Sequence, residues 1–371
     1  MRMRALISGM FLLVACRQEL PDDRSLLLSL LSLRYFGPRF FVVGYGSPSH
    51  AEVYSVNGDG QVTFVSQATG GNFPVMFSAD PTLNYIRMGS NSGGGYLTSF
   101  SLNRSTGSLA QVHEIPATGA SLATADHPSL PFVMNVVTGQ VNVHPVLSGG
   151  VLGTAVGYDA GRTFSGARLY GNILYAADNS AAGTVRSYRL GSTGVLTTLQ
   201  TMPSSATNQA TVGIEPLGRF MYVSNGSATN QVALFSLDGN GSMSGPTFMT
   251  LSNGAGGTNF AFDPYGRYLF ASRSIATNNL QTYAINQATG QLTLASMITS
   301  GTGPSQIVVD PAGRFLVHLD AAGVTMRVYS YSNGMLTPVT GSPFSIGPGT
   351  NPVALIAICY EKYAFGELQF N

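Results

Sequence analysis

Short apolar runs recur along this chain, each closed by a turn rich in Asp, Pro, Gly and Asn. The clearest phrase is Asp263-Pro264-Tyr265-Gly266-Arg267-Tyr268-Leu269-Phe270. It returns as Asp310-Pro311-Ala312-Gly313-Arg314-Phe315-Leu316-Val317, and it occurs earlier as Glu215-Pro216-Leu217-Gly218-Arg219-Phe220-Met221-Tyr222. Arg219, Arg267 and Arg314 follow one another at 48 and 47 residues. Asp or Glu, then Pro, then Gly are the residues of a type I turn: Pro presets φ and the acidic side chain accepts from the turn amides. The flanking runs read as strands, four to a unit. Second strands are predicted at 40–44, 84–88, 132–136, 173–177, 220–224, 268–272 and 315–319. Third strands follow at 52–56, 96–102, 140–143, 184–190, 232–237, 280–285 and 326–331. Seven units with a period near 45, built only from strand signals, predict an all-β seven-bladed propeller of four-stranded antiparallel blades. Unit three is the least regular, with Asp126-His127-Pro128 in place of the usual turn, and the strands between 151 and 167 are poorly marked.

The register predicts how the ring closes. The first unit opens with a second strand, 40–44, and lacks a first strand before it. The chain closes with 353–358, which matches first strands elsewhere. The C-terminal strand is therefore expected to become the innermost strand of blade one, which removes an exposed sheet edge. Strands buried on both faces also account for apolar runs that do not strictly alternate.

Composition narrows the function classes. Charged residues are 9% and formal net charge is +1, so no basic field exists to hold nucleic acid. Arg2 and Arg4 precede an apolar run, 5–15, too short to span a bilayer, that ends at Cys16. Leu13-Val14-Ala15-Cys16 resembles a bacterial lipoprotein signal, in which the Cys becomes the lipid-bearing first mature residue; the segment also fits an ordinary signal peptide. The expected layout is 1–16 signal peptide, 17–38 tether, 39–361 propeller and 362–371 tail. Arg17 and Gln18 follow the Cys, so an outer-membrane or surface location is expected, with lipid as the only membrane attachment.

Tyr222-Val223-Ser224-Asn225 resembles the signature of the Tyr-Val-Thr-Asn repeat propellers. The run from Gly334 to Phe344 resembles an outer-strand phrase of the bacterial lactonase-family propellers, and the Gly-Arg-Phe/Tyr-Leu repeats fit the same group. The resemblance covers roughly 39–360. It implies a fold like that of 6-phosphogluconolactonase and, with it, activity on sugar lactones. Such lactonases carry Gly-Pro-Arg-His in loops from fourth to first strands, with further Arg and Glu at the channel mouth. Here Gly303-Pro304 is followed by Ser305-Gln306, so the Arg-His pair is missing there.

The blade grammar sorts the polar residues by face. Asp80, Glu215, Asp263 and Asp310 fall in first-to-second turns, away from the mouth. Asp59 and Asp238 fall in outer hairpins, with too few carboxylates for calcium. Second-to-third loops bring Asn91, Asn135, Asp178, Asn225, Arg273 and Asp320 to the mouth; fourth-to-first loops bring Asn72, Asn259, Gln306 and Asn351. This amide-rich rim suits a small-molecule or glycan ligand, or an envelope protein. His318 and Asp320, two apart on one strand, with Arg273 from the next blade, form the candidate catalytic group. The five His lack metal-ligand spacing, and no metal or cofactor is expected. On these grounds the chain reads as a monomeric binding module without turnover, with lactone hydrolysis as the alternative.

Overall fold

The computed structural model describes residues 36–179, 183–204, 209–225, 231–252, 258–347 and 349–361. The chain forms two compact units, 37–360 with 369–371, and 1–36 with 361–368. Of the second unit only Phe36 and Glu361 are described, so the stretch expected to be a signal peptide, with Cys16, most of the expected tether and residues 362–371 lie outside the described residues.

Seven sheets of antiparallel strands stand in a ring. Blade one holds Phe36–Ser47, Ser49–Val56 and Val62–Thr69, with the C-terminal strand Thr350–Glu361 paired to the first of these as the innermost strand. Blade two is Pro74–Ala79, Tyr85–Ser90, Tyr96–Leu102 and Leu109–Pro116. Blade three is Ser121–Asp126, Phe132–Val137, Gln140–Pro145 and a three-residue outer strand, Val156–Tyr158. Blade four is Phe164–Tyr170, Ile173–Asp178, Thr184–Leu190 and Leu196–Pro203. Blade five is Gln209–Ile214, Phe220–Asn225, Gln231–Leu237 and Met243–Thr250. Blade six is Thr258–Phe262, Tyr268–Arg273, Leu280–Ile285 and Leu292–Ile298. Blade seven is Pro304–Val309, Phe315–Asp320, Thr325–Ser332 and Met335–Pro338, with Phe344–Ser345 also pairing to its third strand. The blade count and the closing strand are those read from the sequence.

The turn chemistry explains the regularity. Asp263 is fully buried; its carboxylate accepts from the amides of Arg267 and Tyr268 and pairs with Arg267 Nε at 2.7 Å. Gly266 sits at φ 67, where a side chain is strained. Glu215 does the same for Leu217 and Arg219. In unit three the ring of His127 replaces the carboxylate: its Nδ1 accepts from the amides of Ser129 and Leu130. The outer-hairpin Asp238 accepts from Asn240 and Ser242, which is what a hairpin turn requires.

The core is divided among the seams between blades. Phe40, Val42 and Ile358 of blade one pack on Phe77, Ile86 and Met88 of blade two. Phe41, Val43 and Leu355 pack on Phe315, Val317 and Val328 of blade seven. Successive strand residues thus feed opposite seams. The seam between blades two and three is different. Its apolar cluster is centred on Leu97, Val133 and Leu152, and beside it lies a buried polar set. Arg87, fully buried, reaches Asp126 at 3.5 Å and donates to Ser99 Oγ at 2.6 Å, while Ser78 donates to Asp126 at 2.6 Å. Burial pushes the Asp126 carboxyl up to about 6, against the pull of Arg87 and Ser78.

The seam between blades six and seven contains a hydroxyl–imidazole chain. His318 is fully buried; Nε2 meets Ser272 Oγ at 3.1 Å and Nδ1 meets Ser300 Oγ at 2.6 Å, and Ser300 continues to Tyr329 Oη at 2.8 Å. Burial lowers the His318 pKa to about 4.

Side chains also tie the innermost strands across blades. Asn259 donates to the Ser305 carbonyl, and Ser305 Oγ donates to the Pro352 carbonyl at 3.2 Å. Gln306 accepts from the Leu355 amide at 3.1 Å and donates to the Val75 carbonyl at 3.0 Å, linking blades seven, one and two.

Two outcomes follow for stability. Leu355→Ala, in the closing strand, should lower the unfolding free energy in urea by about 2–4 kcal/mol, the cost of a cavity in a packed seam. The two titrating seams act in opposite senses. A folded-state His pKa of about 4 against 6.5 removes stability as pH falls from 6.5 to 4. A folded-state Asp pKa of about 6 against 3.8 removes stability as pH rises over 3.8 to 6. Each effect is about 3 kcal/mol, so they offset one another across their shared window. In urea titrations at a series of pH values, His318→Gln should lose stability as pH rises through that window. Asp126→Asn should lose it as pH falls.

Candidate active site at the channel mouth

Second strands end, and first strands begin, at one face of the ring. At the boundary of blades three and four this mouth face carries a closed circuit of four charges. Asp159 and Arg162 lie in the loop between Val156–Tyr158 and Phe164–Tyr170. Asp178 ends the second strand of blade four, and Arg186 lies on its third. Arg162 Nε pairs with Asp159 at 3.0 Å, and its Nη1 is 4.0 Å from Asp178. Arg186 Nε pairs with Asp178 at 3.2 Å, and its Nη1 is 3.5 Å from Asp159. Tyr188 donates to Asp159 at 2.7 Å, and the Thr163 amide donates to Asp178 at 3.3 Å. Asp159 takes a left-handed φ of 52, which turns its carboxylate back toward Arg162 three residues on.

Exposure separates the members. Asp178 is buried and holds the others in place. The side chains of Arg162 and Asp159 are 35% and 18% exposed and face solvent. The hydrogen bond to Asp159 raises the Arg162 pKa, so the guanidinium stays charged. Burial and the bond to Asp159 raise the Tyr188 pKa, so its hydroxyl stays protonated. The circuit therefore offers a fixed cation and a carboxylate at one solvent-facing point, with the buried Tyr188 hydroxyl holding the carboxylate from behind, the ingredients for polarising a carbonyl and moving a proton.

The residues read from the sequence are distributed differently. Asp178 belongs to this circuit. Asp320 plays the corresponding part in blade seven, accepting from the amides of Thr302, Gly303 and Gly323 and from Arg327. Burial pushes its pKa up, but those donors prevail and hold it below the usual carboxylate range. His318 stands on the same strand face, enclosed by Ser272 and Ser300. Arg273, 1% exposed, donates to the Ser252 carbonyl at 2.7 Å, which also receives Gln281. Asn135 is fully buried, and among the described residues its amide finds no hydrogen-bond partner. Asn259 and Gln306 serve the cross-ties. Asn72, Asn91 and Asn351 are exposed at the mouth of blades one and two, beside Phe73, whose φ of 61 is strained for a bulky residue. The side chain of Asn225 lies outside the described residues.

Asp159 and Arg162 escaped the sequence reading because the outer strand before them has only three residues, which blurs the loop boundary. A signal was present: Thr184, Arg186 and Tyr188 repeat as Thr325, Arg327 and Tyr329, each set following an Asp that ends the strand before, Asp178 and Asp320.

Known proteins bear on this arrangement. The profile of the family described as "Lactonase, 7-bladed beta-propeller" matches residues 168–260 and 250–350. The periplasmic gluconolactonase of Pseudomonas aeruginosa is similar in structure at a TM-score of 0.70 and 21% identity, covering 86% of this chain and 99% of its own. A candidate 6-phosphogluconolactonase of Bacteroides uniformis ATCC 8492 gives 0.76 and 18%, covering 87% and 100%. A protein from Lactobacillus plantarum gives 0.74 and 14%, covering 87% and 99%. No curated protein matches the sequence significantly. In sequence the chain matches the lactonase propeller profile over blades four to seven, and in fold it is a seven-bladed β-propeller around the whole ring.

Proposed function

We propose that the protein hydrolyses sugar lactones at the mouth of blades three and four. The observation that carries this reading is the Asp159–Arg162–Asp178–Arg186 circuit in a lactonase-type fold. The lactonase resemblance calls for an Arg in a fourth-to-first loop, and Arg162 stands in one. Arg162 binds the lactone carbonyl oxygen and stabilises the oxyanion that forms when water attacks. Asp159 accepts the proton of that water. The ring C–O bond then breaks, and the departing oxygen takes up the proton as the hydroxyl of the open acid. Asp178 and Arg186 are positioning residues. His318 and Asp320 belong in this reading to the scaffold of blade seven, and Arg273 to that of blade six.

The amide rim supports binding without turnover less well, since Asn259 and Gln306 hold the ring together. We further propose that Cys16 bears lipid and holds the propeller at the outer membrane or cell surface, a reading that rests on the lipobox-like Leu13-Val14-Ala15-Cys16.

Wild-type protein should open glucono- and galactono-lactones in a pH-stat assay. Arg162→Ala should lower kcat by about 10²–10³-fold. Asp159→Asn should lower it by about 10²-fold or more. Both should keep the wild-type circular dichroism spectrum. A wild-type protein inert toward the lactones, or variants with undiminished kcat, would sink the assignment. Cys16→Ser should abolish incorporation of labelled palmitate in a bacterial host and release the protein from the membrane fraction.

A further inference from the structure

A second site, remote from the circuit, stands where the chain ends meet. On blade one, Glu52 lies in register with Gln67, and Tyr54 with Phe64. Cross-strand partners share a sheet face. With Val62, and with Ser345 and Gly347 from the connection out of blade seven, these residues line a cleft of about 570 Å³. That volume suits a small ligand. Glu52 and Tyr54 form its buried floor, and Phe64, 51% exposed, meets Tyr54 edge-on at its rim with ring centroids 5.9 Å apart. Gln67 is exposed, and its amide makes no hydrogen bond among the described residues. A side chain at residue 347 would strike the Glu52 carboxylate, with Cβ 2.3 Å from Oε2, and Gly347 also has a positive φ of 28. Glycine therefore lets the backbone pass directly over the floor.

The polar groups of that floor are already paired within the protein. His50 Nδ1 is 2.6 Å from the Pro48 carbonyl, and Nε2 is 3.1 Å from Glu52 Oε1. Tyr54 donates to Glu52 Oε2 and accepts from the Gly347 amide at 2.9 Å. With its proton committed to Glu52, Tyr54 accepts from Tyr45 at 3.1 Å. Among the described residues no Lys or Arg lines the cleft.

We infer that this cleft binds a neutral sugar ring. The exposed Phe64 ring offers apolar surface to a sugar face, while the Gln67 amide and Ser345 hydroxyl both donate to and accept from sugar hydroxyls. An anionic ligand meets no cation in that lining, and both Glu52 oxygens are already engaged by His50 and Tyr54. The inference stands apart from lactone hydrolysis, since no residue is shared with the circuit.

Titration calorimetry of the full chain against D-glucose, D-galactose and N-acetyl-D-glucosamine tests it. At least one should bind saturably, with Kd of about 0.1–10 mM. Phe64→Ala and Gln67→Ala should each weaken that binding about tenfold or more while lactone turnover stays within about twofold. No saturation by any of the three up to about 100 mM overturns the inference. So does undiminished binding by both variants, or preference for glucose 6-phosphate or choline over the neutral sugars. Loss of sugar binding in the variants would uphold the site even if the wild type opened no lactone.

Discussion

Every blade is apolar on both faces, so each sheet needs a neighbour on either side before it is shielded from water. That demand is met only by a complete circle, and the strand that completes it is the last one made. Leu355 and Ile358, from the C-terminal strand, enter two different seams, the former toward blade seven and the latter toward blade two. Residues more than three hundred positions apart must meet before either seam is full. The fourth-to-first loops at the mouth owe their geometry to this closure, because each is stretched between two blades whose spacing the seams set.

The architecture was legible because its determinants are local. A buried acidic side chain that satisfies its own turn amides needs only a few consecutive residues, and Glu215, Asp263 and Asp310 each announce a blade in this way. The seven second strands and the closing strand could be placed from such phrases with shifts of a few residues at their ends. The channel mouth was less legible because its properties arise between blades. Asn259 and Gln306 look from the sequence like free rim amides, yet each bonds to backbone of a neighbouring blade, a contact with no trace in local spacing. His318 and Asp320 do share a strand face, as their spacing requires. What spacing does not show is that Ser272 and Ser300, from blade six and the loop beyond it, enclose the imidazole.

Blades four and seven show how one framework yields two environments. Both end their second strand in Asp and follow it with Thr-x-Arg-x-Tyr on the third. In blade seven the preceding loop supplies Ser300 and the amides of Thr302 and Gly303, so the tyrosine meets a hydroxyl and the carboxylate meets backbone amides besides Arg327. In blade four it supplies Asp159 and Arg162, and the same tyrosine and carboxylate become part of a charged, solvent-facing group. In a protein with so few charged residues, bringing two from one loop against two from the adjoining strands makes that point of the mouth electrically distinct.

Gln306 has a consequence for the fidelity of assembly. A β-strand displaced by two positions along its partner keeps the same side chains pointing the same way, so burial alone distinguishes such misalignments poorly. No further blade strand follows the closing one among the described residues. Gln306 recognises one particular backbone amide, that of Leu355, while its other end is anchored on Val75. A strand slipped by one pleat repeat would offer a different amide at that point, and one amide side chain thereby serves as the ring's alignment pin.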